Sequence, residues 1–494
     1  MNKPLVGTLV VVALAACNDM SPTAPELTEP DPTASILGHL GDVLVTNGND
    51  GGPGSFRAAV QRANVDASVE SIGFLPRVQK VRLETGVTFT GSQPLTIDGA
   101  GAMIDASEVA GRAFEVTGGG ALALLRLGVR GAGAEGVAIE VPPTATGTIE
   151  ITLRRLEIVG NGGHGILIND QRDPSTIDDV QPDSAGSAAT LAVTVTDSKF
   201  LRNGYTVSDR DGLRVNEGGT GDLRFTVARV LADDNAADGI EIDERGPGDV
   251  VLDMTATVVS RNGKFDPADL DDGFDIDEYD EGSIVGRVFL STASNNYEEG
   301  FDFNENNAGD LRIDMTLVSA LRNSEEGIDL EEDDDFGAAG DPFGGGGDLV
   351  AVMRGVTTVG NGDAADGALK IREKEDGNLD VTLSSILSTH NVGTGIFARE
   401  SQAGSAVVRI EKAISTNNRA GILDPFSLGH GIELLESGGG DLTATVSASA
   451  VHDNAGNGVF GDETGAGAGT VTLRNVQSAA NALGPVGGTA TFLP

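Results

Sequence analysis

The chain has no tryptophan, three tyrosines and a single cysteine in 494 residues. One thiol, Cys17, excludes internal disulfides and any two-cysteine redox or metal motif. The scarcity of aromatics argues against stacking platforms for neutral sugars. Basic residues are also short: 33 Lys and Arg stand against 75 Asp and Glu, a formal charge of −42. Such a surface does not bind nucleic acid through phosphate contacts. It repels anionic lipid and anionic polysaccharide unless a cation mediates. Helical runs are missing from the repeats as well, for no stretch of about 10 or more residues inside the copies follows a 3.6 period.

What is abundant is glycine, 70 residues, as a chain with many tight turns requires. The turns recur. In DLRIDMTLVSALRNSEEGIDLEE, Asp310 to Glu332, Leu311, Ile313 and Met315 alternate with polar residues, a half-buried strand pattern. Asn323 marks a turn, and Gly327 opens a second alternating run with Ile328 and Leu330 on one side, Asp329 and Glu331 on the other. Taking the first apolar residue of each copy and stepping 12 residues on reaches asparagine in ten copies: Asn161, Asn203, Asn235, Asn262, Asn296, Asn323, Asn361, Asn391, Asn418 and Asn454. The step from Leu223 to Val250, from Ile284 to Leu311 and from Leu379 to Ala406 is 27 residues. A fixed period of this size marks a solenoid, whose units bury their apolar faces only against neighbours.

Leucine-rich repeats share part of this pattern, but there the asparagine is followed by another core residue, whereas here it is usually followed by a turn. Val, Ile, Leu and Phe at spacing two, cut by Gly, Asn and Asp, predict three short strands per coil. The expected fold is all-β, a parallel β-helix of about a dozen coils, which at about 4.8 Å per coil is a rod of roughly 55–60 Å.

Two positions must stack along such a rod. The asparagines form one ladder, which we read as structural. Five residues past the glycine of the third strand stands an acid: Glu217, Glu244, Glu278, Glu305, Glu332, Glu400, Glu436 and Glu463, with Asp170 and Glu373 fitting nearly. Like charges about 5 Å apart repel by roughly 1 kcal/mol in water and by more where the dielectric is lower. The column must therefore hold cations, meet bases or accept N–H groups of the turn. The middle coils add a strip on the third strand: Glu241 and Asp243, Asp275 and Asp277, Asp302 and Asn304, Asp329 and Glu331. It should face outward. Arg214 and Asn216 precede it, and Lys370 and Arg372 follow it. Oxygen donors at this density suit Ca²⁺, which takes 6–8 of them; a solvated acidic face is the other reading. Insertions at Tyr205 to Asp211, Lys264 to Asp271 and Arg419 to His430 should stack on one edge and wall a groove. Longer ones, Gln171 to Ser187 and Asp333 to Gly346, follow the third strand. His164, His390, His430 and His452 show no partner pattern and read as turn or surface residues.

Two resemblances extend this. Lys3, the apolar run Leu5 to Leu14 and then Leu14-Ala15-Ala16-Cys17 resemble the signal and lipobox of bacterial lipoproteins. The run is too short to span a bilayer. The resemblance implies lipidation at Cys17 and, with Asn18 following, an outer-membrane destination. Residues 1–17 are then the signal peptide, 18–40 a Pro- and acid-rich disordered tether, and 41–494 the repeat domain. Within it, 42–80 is a cap and 81–494 the coils. Ser55 can N-cap a short helix there, whose apolar face is Phe56, Ala59, Val60 and Ala63. Asn49-Asp50, Gly52 to Arg57, Ala59 and Ala63-Asn64 resemble the N-terminal cap of secreted bacterial pectin-lyase-like proteins, which implies a right-handed β-helix. Many such proteins are lyases or hydrolases of acidic polysaccharide, the lyases using Ca²⁺ and a Lys or Arg base. Lys370 and Arg372 are the candidates for that base, but no family signature accompanies them. The favoured expectation is a calcium-stabilised, non-catalytic rod anchored in the envelope for adhesion or polysaccharide contact. A calcium-dependent polysaccharide lyase or glycoside hydrolase is the alternative.

Overall fold

The computed structural model describes residues 41–170, 186–267, 270–279, 281–306, 308–333, 346–362, 367–421 and 428–494. The signal and tether expected over 1–40, Cys17 included, lie outside the described residues, as does most of the two longer insertions.

One coil shows how the rest are made. Leu311–Thr316 forms the first strand, Ser319–Leu321 the second and Ile328–Asp333 the third. Leu311, Ile313 and Met315 point inward and are buried, as period-two alternation requires. Two bends in the left-handed region turn the chain, at Leu317 and Arg322, both with φ 57°. The same two positions are left-handed in other coils, for example Ala256 with Arg261 and Lys412 with Asn417. Such a conformation costs a residue with a side chain about 1–3 kcal/mol. It persists because each bend lets the flanking strands keep pairing with the coils on either side.

Every strand pairing is parallel, and the register puts like positions over one another: Leu311 beside Leu349, Ile328 beside Leu369. Among the described residues the first and second strands join in a 28-stranded sheet, and the third strands form a 14-stranded sheet. Those 14 third strands make the stack slightly longer than the dozen coils the repeat suggested. The fold is the right-handed parallel β-helix expected from the sequence, its hand also that of parallel crossovers in general. One continuous apolar core fills the tube, and it includes a Phe274–Phe301–Phe303 cluster with ring centroids 5.7 and 6.4 Å from Phe274.

The asparagines form the expected ladder. Asn296 Nδ2 donates to Asn323 Oδ1 at 3.0 Å and Asn323 Nδ2 to Asn361 Oδ1 at 3.1 Å. The backbone N–H of each donates to the same oxygen, at 3.1 and 3.0 Å. The ladder runs on to Asn481, one rung past the ten copies. At the start, helix Phe56–Val65 closes the tube, with the Ser55 hydroxyl accepting from the Ala58 N–H. Phe56 packs on Phe74 and Phe114 at 5.6 and 5.5 Å. Val43–Val45 pairs with Ser71–Phe74, and that strand with Leu95–Asp105, so the stack already begins within the cap segment.

Candidate metal centre

The strip lines up as the spacing required. Arg214, Glu241, Asp275 and Asp302 share one column, and Asn216, Asp243, Asp277 and Asn304 the next. Glu331 continues the second column and pairs with Arg372, while Asp329 pairs with Lys370. The strip is not, however, the solvated face that an outward strand suggests. Glu241, Asp243, Asp275, Asp329 and Glu331 are all buried, and Asp277 and Asp302 are only partly exposed. Coils about 4.8 Å apart leave little space for water between stacked carboxylates.

The two ends are neutralised. Arg214 is buried and reaches Glu241 at 2.5 Å, Asp209 at 3.2 Å and Asp211 at 3.7 Å, and also pairs with Asp243. Lys370 meets Asp329 at 2.6 Å and Glu326 at 3.1 Å. Arg372 pairs with Glu331, and Lys374 with Glu331 and Asp333. Burial alone would lower the Lys370 ammonium pKa, but Asp329 and Glu326 outweigh it and hold the group well above the usual lysine range. Lys370 and Arg372 are therefore counter-charges within a buried network.

A third acidic column went unread in the sequence. The residue directly before the third-strand glycine is Asp211, Asp238, Asp272, Glu299 and Glu326 on five successive coils. Its signal was that acidic position, once per repeat. Asp211 Oδ1 accepts from the Asp238 N–H at 3.1 Å, and Asp272 Oδ1 from the Glu299 N–H at 2.6 Å. This column closes on the strip. Carboxylate oxygens of Asp238, Glu241 and Asp275 lie within 4.8 Å of one another, and so do those of Asp272, Asp275 and Asp302. Asp275 belongs to both groups. Its Oδ1 is buried with no hydrogen-bond partner, as is Oδ1 of Asp302.

Burial first, then neighbouring carboxylates, push the carboxyl groups of Asp238, Asp272, Asp275, Glu299 and Asp302 well above the ordinary range. Burial, with Asp243 next, pushes Asp277 up to about 6, although it accepts from the Tyr279 hydroxyl at 2.7 Å. The donors are all hard oxygens with no thiolate, the set that calcium or magnesium takes. Each carboxylate brings one oxygen into its group, so calcium's range of about 6–8 would be completed by their second oxygens and by water. The unpartnered Asp275 oxygen is what such an ion would fill.

Two histidines depart from expectation. His164 is fully buried with Nδ1 3.1 Å from Asp211, and burial lowers its pKa. His430 is buried, stacks on Phe460 at 4.6 Å and accepts from the Asn457 N–H. Both occupy the position before the third-strand glycine, where Asp or Glu stands in the middle coils. The insertions do stack in part, Tyr205 meeting Phe265 edge-on at 5.8 Å. An open groove of about 500 Å³ lies elsewhere, beyond the strip, lined by Lys374, Ser401, Gln402 and Ser437.

These features define a class: a parallel β-helix carrying a buried string of carboxylates, closed by bases at both ends. No protein-family profile matches the chain, and no curated protein sequence matches it. Among solved structures it is similar to the A-module of the mannuronan C-5 epimerase AlgE4 of Azotobacter vinelandii, at 13% identity over 90% of this chain and 100% of that one, with a TM-score of 0.32. It is also similar to the catalytic domain of a GH87 α-1,3-glucanase, at 12% identity over 94% of this chain and 67% of that one, with a TM-score of 0.33. Neither likeness is strong enough to bear on activity.

Proposed function

We propose that this protein is a non-catalytic rod of the cell envelope, lipid-anchored at Cys17, whose coils are braced by calcium along the carboxylate string. One observation carries the reading: bases neutralise the two ends of a buried acidic string, and its middle has carboxylate oxygens with no hydrogen-bond partner among the described residues. Asp272, Asp275 and Asp302 would hold one ion, and Asp238, Glu241 and Asp275 its neighbour. Bound cations would offset the repulsion and link successive coils. Where the partly exposed Asp277 and Asp302 bring the strip nearest to solvent, the same ions can bridge to carboxylates of an acidic polysaccharide. The rod is favoured over a lyase because Lys370 is buried and doubly paired, a poor geometry for taking a proton from substrate.

The test uses the full chain stripped of divalent ions. Calorimetric titration with calcium should show binding with proton release, and the melting temperature should rise. No heat and an unchanged melting temperature would remove the metal. Pectate, alginate and chondroitin should give no unsaturated product at 235 nm; turnover that disappears in Lys370→Ala would instead establish the enzyme. Labelling with palmitate, lost in Cys17→Ser, tests the anchor.

A further inference from the structure

The inner column of acids, five residues past the third-strand glycine in most coils, continues past the strip through Glu373, Glu400, Glu436 and Glu463, in register on four successive coils. The first three are fully buried. One oxygen of each is held by its own turn. Glu373 Oε1 accepts from the N–H groups of Glu375 and Gly377 at 2.8 and 3.3 Å. Glu400 Oε1 accepts from those of Gln402 and Gly404, both at 2.9 Å. Glu436 Oε1 accepts from those of Gly438 and Gly440 at 3.0 and 3.1 Å. The other oxygen, Oε2, is buried in all three and receives no hydrogen bond from any donor the structure places. The residue stacked over it on the adjacent coil is another glutamate, Glu373 beside Glu400, Glu400 beside Glu436 and Glu436 beside Glu463.

The charges around the column offer no relief. Glu332 faces it from the preceding coil and Glu375 from the turn. Arg372 and Lys374 are engaged by Asp329, Glu331 and Asp333, and Arg399 alternates with Glu400 onto the other face of its strand. Among the described residues no three oxygens of Glu373, Glu400, Glu436 and Glu463 gather within 4.8 Å of one another, and the turns beside them leave no passage for a hydrated ion. The turns stack so closely that a Cβ on Gly377 would lie 1.6 Å from the Gly347 carbonyl oxygen, and one on Gly404 1.4 Å from that of Gly377. A carboxylate oxygen against a carboxylate oxygen, dry and without a base, is satisfied by one thing small enough: a proton.

We propose that this column is a proton-held spine, in which neighbouring glutamates share protons across successive coils as carboxyl–carboxylate hydrogen bonds. The O–H of one side chain donates to Oε2 of the next, and raising the pH releases that proton to solvent and leaves two carboxylates facing each other. Burial, with the Glu332 contact next, pushes Glu373 up to about 10. Burial also pushes Glu400 and Glu463 up to about 7. Because these values are raised, the stability the protons supply is complete below the unfolded value of about 4.3. It is lost as the pH rises through about 7 for Glu400 and Glu463 and about 10 for Glu373. The inference is independent of the calcium string, so calcium is held in excess in one arm of the test and chelated in the other.

Glu373→Gln and Glu400→Gln replace the shared proton with a permanent N–H donor. By capillary electrophoresis of the native full chain near pH 6, both variants should migrate as the parent does, since each removes a neutral group. Near pH 9, Glu400→Gln should carry one negative charge fewer than the parent. Hydrogen exchange at the Gly404 and Gly440 amides, corrected for the intrinsic rate, should lose on the order of tenfold protection in the parent between those pH values, and Glu400→Gln should keep it. A full one-charge shift for both variants near pH 6, in either calcium arm, would overturn the proposal. So would protection in the parent that does not change with pH.

Discussion

Asp275→Asn is the substitution whose effect should change sign with calcium. Asp275 sits in two carboxylate groups at once, each with oxygens within 4.8 Å, and its Oδ1 is buried without a partner. At that separation and an effective dielectric near 20, two ionised carboxylates repel by about 3.5 kcal/mol. Without divalent ions the parent must bear part of this or take up protons. Asparagine has the same shape, no charge and a donor, so it removes the conflict. In chelator near pH 8 the variant should therefore be more stable than the parent, by about 2–3 kcal/mol. Burial, then neighbouring carboxylates, raises the Asp275 and Asp302 values in the fold. The fold therefore binds protons more tightly than the unfolded chain. Chelated parent is most stable in acid and loses stability as the pH rises, so the advantage of the variant should shrink towards pH 5. Calcium at about 1,000 times its dissociation constant adds about 4.1 kcal/mol to a chain with an intact site, more than the variant's advantage in chelator, and the variant should gain much less. Calorimetry in the two buffers, with hydrogen exchange at the Asp272 and Glu299 amides as a local readout, measures the crossing. A variant less stable than the parent in chelator would refute the reasoning, as would equal calcium gains for both chains.

Two further substitutions test the frame around the site. Asn323→Ala deletes the oxygen that accepts from both the N–H and Nδ2 of Asn296, at 3.1 and 3.0 Å. Two buried donors left empty cost about 1–3 kcal/mol each, and hydrogen exchange should place the loss in the coils on either side. Lys370→Met leaves Glu326 and Asp329 buried without their base. The loss should be about 3–5 kcal/mol, read by denaturant melts, with a larger response to added calcium than the parent shows.

The ladders were legible because a solenoid converts sequence spacing into vertical position. Once the asparagine recurs at a fixed step from the first apolar residue, its stacking follows, and so does that of the glutamate five residues past the glycine. The cap was legible for a local reason, since Ser55 before an apolar face is a helix start wherever it occurs. Burial of the strip was not legible. An outward position on a strand reads as solvated, and Glu241 or Asp275 is dry only because its neighbours above and below are long polar side chains at coil spacing. The column from Asp211 to Glu326 was hidden by lying two residues ahead of the strand, in what reads as a turn. Its partners, backbone N–H groups of the next coil, have no sequence signature at all. His164 and His430 stand in that same turn position, as turn residues, and it is their burial there that the sequence does not show.

Translation along a single axis also explains why charge is handled twice on one sheet. A repeat cannot carry one acid; it carries a file of them, and the cost grows with each added coil. On the outer strip the file is broken by a change of sign, Arg214 at one end and Lys370 with Arg372 at the other, so only the middle coils need ions. The inner column never changes sign from Glu217 to Glu463, so its relief has to come from within every coil. In Glu373, Glu400 and Glu436 turn N–H groups supply it for one oxygen, and the other receives no hydrogen bond among the described residues. Any account of the second oxygen must therefore work at each coil and fit between turns in contact, which a proton does and a hydrated cation does not.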